Sequence, residues 1–385
     1  MITELSEKYR PHDEWAKEKL KETFEFRNKG AAFIINDANY WTFGELPENI
    51  PEDYYGNDPG AMFRYQLSKI ERHYGYYTDD CYLAFLMPWY GTAVLASGFG
   101  HPVVNNYKQD PAADISKVES PQEITKLRAP DPQKDGLMPQ VLKTLRYFRE
   151  HSDLPVGVTD CQGPLTTALS IIGYDKFCYW MSDYPEVIHS LMDLITDSLI
   201  QWVKVQKRAA GILMESESYP IGVRLPDGFG GVWISDDDSV IMGPDLYRQF
   251  VLPYNSRVLK AFGGGCIHFC GNSNQHIDNY LHTEGLTAIN NFTMDDSGAA
   301  AKMKNALGAK GIVYMACDYV PNEQRLETYY QELFDAMGDQ TGLIVVSYVA
   351  PAVALEKGRY KECARDQFAL GKKVHEQILR NIRPR

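Results

Sequence analysis

The chain has 385 residues, 44% hydrophobic and 23% charged, a composition that builds an ordinary globular core and excludes disordered or collagen-like chains. Lys and Arg number 39 against 51 Asp and Glu, a net charge of -12 that argues against nucleic acid or an anionic membrane surface as a partner. Seven cysteines lack the dense spacing of a disulfide scaffold, and the charged start from Met1 to Lys8 is unlike a secretory signal, so the expected setting is cytoplasmic.

Length alone allows two to three domains or one large barrel. Helical periodicity over 6–27 predicts an amino-terminal helical extension covering 1–30, ended by Gly30. Eight short apolar runs then alternate with amphipathic stretches. The strands are expected at 31–36, 82–88, 155–160, 231–235, 265–270, 286–291, 311–318 and 343–349. Helices are expected at 185–207, 244–261, 275–282, 299–306, 322–337 and 362–381. This pattern reads as a single α/β domain over 1–385, a (β/α)8 TIM barrel; an open doubly wound sheet would give a similar pattern. Residues 98–153, rich in Pro and Asp with one helix near 138–150, read as a long insertion after the second strand that partly roofs the barrel mouth.

A barrel puts chemistry at the carboxyl ends of its strands. Trp89 and Tyr90 follow the second run, Asp160 and Gln162 the third, and Asp236, Asp237 and Asp238 the fourth. His268, Cys270 and Asn272 end the fifth, Asn290 and Asn291 the sixth, Cys317 and Asp318 the seventh, and Ser347 the eighth. On a strand, His268 and Cys270 share a face, so an imidazole and a thiol at that end make half of a tetrahedral zinc site. The third ligand must come from another strand end: Cys317 is the best thiol, and the Asp236–Asp238 run offers carboxylates. The plainer alternative is that these cysteines are small core residues and the acidic run a solvated helix cap. Gly263-Gly264-Gly265 precedes its strand, so it is not a phosphate loop.

Two segments carry a resemblance. The run Pro155-Val156-Gly157-Val158-Thr159-Asp160-Cys161-Gln162-Gly163-Pro164-Leu165-Thr166, and the run from Asp236-Asp237-Asp238 through Gly243-Pro244-Asp245-Leu246-Tyr247 to Tyr254, resemble the uroporphyrinogen decarboxylase family. That family includes the decarboxylase and methyltransferases that work with corrinoid proteins. The decarboxylase branch carries an Arg-Gln-Ala-Gly-Arg signature after its first strand; here Ile35-Asn36-Asp37-Ala38-Asn39-Tyr40-Trp41 has no arginine to pair substrate carboxylates. His268-Phe269-Cys270 matches the His-x-Cys of the methyltransferase branch, whose distant third cysteine lies where this chain has Ser347-Tyr348.

The resemblance thus implies a zinc-assisted methyltransferase, with His268, Cys270 and Cys317 or an acidic-loop Asp as ligands. It would pass a methyl group between a small methylated substrate or thiol and a corrinoid protein. Asp237 and Asp238 would act as proton donor or ligand, with Trp89, Tyr90, Asp160, Gln162, Asn291 and Ser347 around the substrate. A carboxy-lyase on a tetrapyrrole or other acid is the second reading, and a non-catalytic corrinoid- or tetrapyrrole-binding barrel the third. A homodimer is compatible with the sequence, which does not set the oligomeric state.

Overall fold

The structure is a computed structural model that describes residues 2–36, 53–77, 79–105, 110–114, 116, 118–219, 222–319, 325–349 and 360–382. Its centre is a six-stranded parallel sheet. We number the strands β1 (Ala32–Asn36), β2 (Val232–Ser235), β3 (Gly265–Cys270), β4 (Leu286–Phe292), β5 (Val313–Tyr319) and β6 (Leu343–Tyr348). Their spatial order is β1-β6-β5-β4-β3-β2. These segments are nearly continuous runs of Val, Ile, Ala and aromatic residues, as parallel strands covered on both faces require.

Two of the eight expected strands, 82–88 and 155–160, form no regular ladder. They lie between the two edges of the sheet and are tied in by single bridges, Leu86 with Val156 and Gln162 with Ser235. The Cys81 amide donates to the Phe33 carbonyl at 2.7 Å, Leu86 to Pro155 at 2.8 Å, and Ser235 to Cys161 at 3.0 Å. The reason for the irregularity is local. Gln206 Oε1 accepts the Thr159 amide at 2.8 Å, Gln66 Oε1 the Met87 amide at 3.0 Å, and the Tyr74 hydroxyl the Ala84 amide at 3.2 Å. Side chains thus satisfy donors that a neighbouring strand would otherwise take.

Register defines the inner face. Ser235, His268, Asn290 and Met315 are successive cross-strand partners, as are Cys270, Phe292, Cys317, Val346 and Ile34 one step on. Parallel partners share a face, so these side chains all point into the barrel. Outside lies the helical layer. Its longest member, Pro185–Ala210, buries Ile188, Leu191, Ile195, Leu199 and Trp202 at helical spacing, each worth roughly 1.5–3 kcal/mol.

Several elements differ from the sequence reading. The helix expected at 244–261 is two, Pro244–Phe250 and Leu252–Lys260, because Pro253 has no amide to continue the first and suits the first turn of the second. The helix Met138–His151, expected within a segment roofing the mouth, packs in the outer layer against Pro59–Tyr76 and Pro185–Ala210. The expected stretches 37–41 and 322–324 fall outside the described residues. Among the described residues no helix is long and apolar enough to cross a membrane.

Candidate metal centre

After β2 the chain does not leave the sheet at once: the Asp236 amide donates to the His268 carbonyl at 2.7 Å, and a short 3-10 turn, Asp237–Ile241, follows. This brings Asp237 beside the end of β3. His268 Nε2 lies 3.7 Å from Asp237 Oδ1 and 3.7 Å from Cys270 Sγ. The three ligand atoms all lie within 4.8 Å of one another, the one such group among the described residues. Zinc bonds of about 2.0–2.3 Å at tetrahedral angles set ligand atoms about 3.3–3.8 Å apart, so the two spacings from His268 Nε2 fit the ion.

Two further observations favour a cation here. His268 Nδ1 meets Asn290 Oδ1 at 2.6 Å, and the Asn290 amide nitrogen donates to the Met315 carbonyl at 3.2 Å. That second bond assigns the amide's orientation, so Nδ1 carries the proton and Nε2 presents its lone pair to Asp237 and Cys270. Asp237 Oδ1 is buried and has no hydrogen-bond partner among the described residues. Cys270 is exposed as a residue, but its sulfur turns toward buried His268; burial and then the neighbouring Asp237 push its thiol up, so the proton stays on sulfur until a cation displaces it.

The other expected site residues divide. Cys317 points inward two strands further round and is buried, but it stands outside the three-atom group, whose third position Asp237 holds. Asp238 is half-buried, and burial raises its carboxyl. Asp236 is fully buried against Asn255 at 2.9 Å, and burial pushes it up to about 7.

Asp160 and Gln162 do sit near the centre. Gln162 donates to Asp160 Oδ2, and burial raises the Asp160 carboxyl. Asp160 Oδ1 accepts from Tyr219 at 3.0 Å and from Ser235 at 3.3 Å, while the Tyr219 and Ser235 hydroxyls meet at 2.6 Å. Tyr219 was missed from the sequence because Ser218 and Tyr219 sit in a short polar stretch that reads as a loop. Asn290 was passed over for its neighbour because strand alternation leaves open which of two adjacent asparagines faces inward.

Three expected substrate residues, Asn291, Ser347 and Tyr90, face elsewhere. Asn291 is spent on backbone: its amide donates to the Gly271 carbonyl at 2.7 Å and its oxygen accepts from Tyr314 at 2.7 Å, which pins the loop after β3. Ser347 accepts the Tyr330 hydroxyl at 2.7 Å from the helix Leu326–Met337. Tyr90 bonds Thr144 of Met138–His151 at 2.8 Å.

Comparison with known proteins adds the following. The family model described as uroporphyrinogen decarboxylase (URO-D) matches residues 58–219. The chain is similar to a uroporphyrinogen decarboxylase of Syntrophotalea carbinolica, 29% identical over 171 residues, covering 42% of this chain and 44% of that protein. It is also similar to a methylated-thiol–coenzyme M methyltransferase of Methanosarcina mazei, 26% identical over 158 residues, covering 40% of this chain and 38% of the other. These matches therefore span less than half of either relative. A solved methyltransferase structure from Methanosarcina mazei superposes with a TM-score of 0.62 at 18% identity, over 92% of this chain and 99% of that one, which establishes the barrel fold alone. Asp160, Gln162 and Tyr219 lie inside the family match; Asp237, His268 and Cys270 lie beyond it.

Proposed function

We propose, from the premise that this chain carries a URO-D family domain over residues 58–219, that it is a methyltransferase acting between a small methylated substrate or thiol and a corrinoid protein. The observation that carries this reading is the convergence of Asp237, His268 and Cys270 at the carboxyl end of the barrel. These residues would hold zinc, which when bound supplies a Lewis acid that favours the thiolate form of a thiol substrate.

The remaining steps belong to the protein. Asn290 holds the His268 ring in the tautomer that leaves Nε2 free as a donor atom. Asn291 fixes the turn after β3 and so the position of Cys270. Methyl transfer is a displacement that needs attacking atom, methyl carbon and leaving atom in line, and groups seated on strand ends hold such geometry better than loops do. Burial raises the Asp160 carboxyl, while Gln162, Tyr219 and Ser235 donate to its oxygens and fix its position in the site.

Metal analysis of the purified protein together with methyl transfer to or from free cobalamin tests the proposal. Zinc at one equivalent per chain and transfer abolished by His268→Ala are expected. Metal-free protein, with His268→Ala indistinguishable from the parent, would overturn it. Turnover of uroporphyrinogen by metal-free protein would select the decarboxylase reading instead.

A further inference from the structure

Between the helix Pro185–Ala210 and β2 the chain makes a small antiparallel pair, Ser218–Tyr219 with Val223–Arg224. This pair lies within the barrel wall. The Tyr219 ring stacks on Trp233 at 4.0 Å and 11°, and Trp233 partners Cys266, on the same inward face as His268. Toward the other side, Gly222 has φ +83, and a Cβ there would lie 2.9 Å from the Tyr82 ring and 3.2 Å from Ile34 Cγ2, so only glycine fits. Ile34 is itself inward-facing. A Cβ on Gly157 would lie 3.2 Å from the Ser218 carbonyl. The pair is anchored by Glu217, whose carboxylate meets Lys207 at 3.2 Å with both side chains buried.

We infer that this pair is the floor of the methyl-transfer site and that Tyr219 sets its depth, restricting the substrate to a short aliphatic, non-anionic molecule; the inference rests on the metal reading above. Tyr219 and His268 rings lie 6.0 Å apart, so the phenol closes the barrel directly beside the ligand histidine. At the floor the Tyr219 and Ser235 hydroxyls and the Asp160 carboxylate satisfy one another. What it offers upward is ring surface, and the inward Phe292, stacked on Tyr348 at 5.2 Å and edge-on to His268 at 5.7 Å, extends that surface across the mouth. Asp160 and Asp237 border the space, close enough to interact electrostatically, and no Lys or Arg among the described residues forms an ion pair with either. An anionic ligand would meet like charge there with no compensating cation.

The test uses the full chain loaded with Co(II), whose sulfur-to-cobalt absorption reports thiol binding without turnover. The parent is expected to bind ethanethiol at least tenfold more tightly than either hexanethiol or 3-mercaptopropionate. Tyr219→Ala should improve hexanethiol at least tenfold over the parent, and Tyr219→Leu should improve it by less. Tyr219→Phe, which keeps the ring, should retain the parent's preference for short chains and serves as the folding control. A parent that binds hexanethiol or 3-mercaptopropionate as well as ethanethiol would overturn the inference. So would folded Ala and Leu variants with the parent's length preference. Absence of any Co(II) spectrum would overturn the metal reading and this inference with it, whereas normal Co(II) spectra with unchanged length preference overturn the floor alone.

Discussion

Two histidine–aspartate groups in this barrel look alike on paper and differ in one respect. At the start of the second strand segment, Asp80 is fully buried; its Oδ1 lies 3.2 Å from His73 Nε2, its Oδ2 accepts the Ile35 amide at 2.9 Å, and its carbonyl meets His12 Nε2 at 2.9 Å. Each carboxylate oxygen has a partner, and the group ties the amino-terminal helix Ile2–Phe24 to β1. At the mouth, Asp237 Oδ1 is buried without a hydrogen bond, beside a histidine lone pair and a half-enclosed thiol. A satisfied group of this kind stabilises, whereas an unsatisfied one is costly unless something else binds there.

That contrast can be broken most forcefully at Asp80. Asp80→Ala would leave His12, His73 and the Ile35 amide without their partner, and urea unfolding should show a loss of about 3–5 kcal/mol. Asp237→Asn should do the reverse: metal-free stability within about 0.5 kcal/mol of the parent, but zinc affinity, measured by competition with a chelator, reduced about 100-fold. Equal destabilisation by both substitutions would erase the distinction.

Asn290→Ala sharpens the reading of the mouth. It removes the acceptor that orients His268 without touching a ligand, so zinc affinity should fall about 10–100-fold while the protein remains folded by circular dichroism. An unchanged affinity would mean that the His268 ring is held by packing alone.

The smallest effect concerns pH. Burial by itself lowers the His12 pKa, but hydrogen bonds to Asp13 and Asp80 outweigh it and hold the group at about 9, against an ordinary 6.5. A folded value above the unfolded one means His12 contributes fully below about pH 6.5 and loses that contribution as pH rises through 9. Thermal unfolding across pH 6–10 should therefore show a decline on the order of 1–2 kcal/mol that His12→Gln removes. A parent profile flat over that interval would contradict the assignment.

The eight-unit pattern, six of the strands and most helices were legible from the chain because apolar period and helix-opening prolines act locally. His268 and Cys270 were legible for the same reason: two residues apart on a strand, they must share a face. Residues 82–88 and 155–160 read as strands and are extended, yet their ladders fail because side chains of flanking helices, Gln66 and Tyr74 for the first and Gln206 for the second, take amides. Likewise Asn291 and Ser347 sit at strand ends as expected but face the helical layer, since a one-residue offset sends a side chain to the opposite surface.

The sequence by itself determined the alternation of strands and helices, the acidic character of the mouth, and one imidazole and one thiol at the same strand end. Only the tertiary structure brought an Asp237 oxygen, and not the Cys317 sulfur, beside His268 and Cys270, set Asn290 against the imidazole, and stacked Tyr219 on Trp233. The physical reason is range. Periodicity and propensity are properties of neighbouring residues, whereas a metal centre and a pocket floor depend on distances across strands, set by sheet register and by which buried polar atoms find partners.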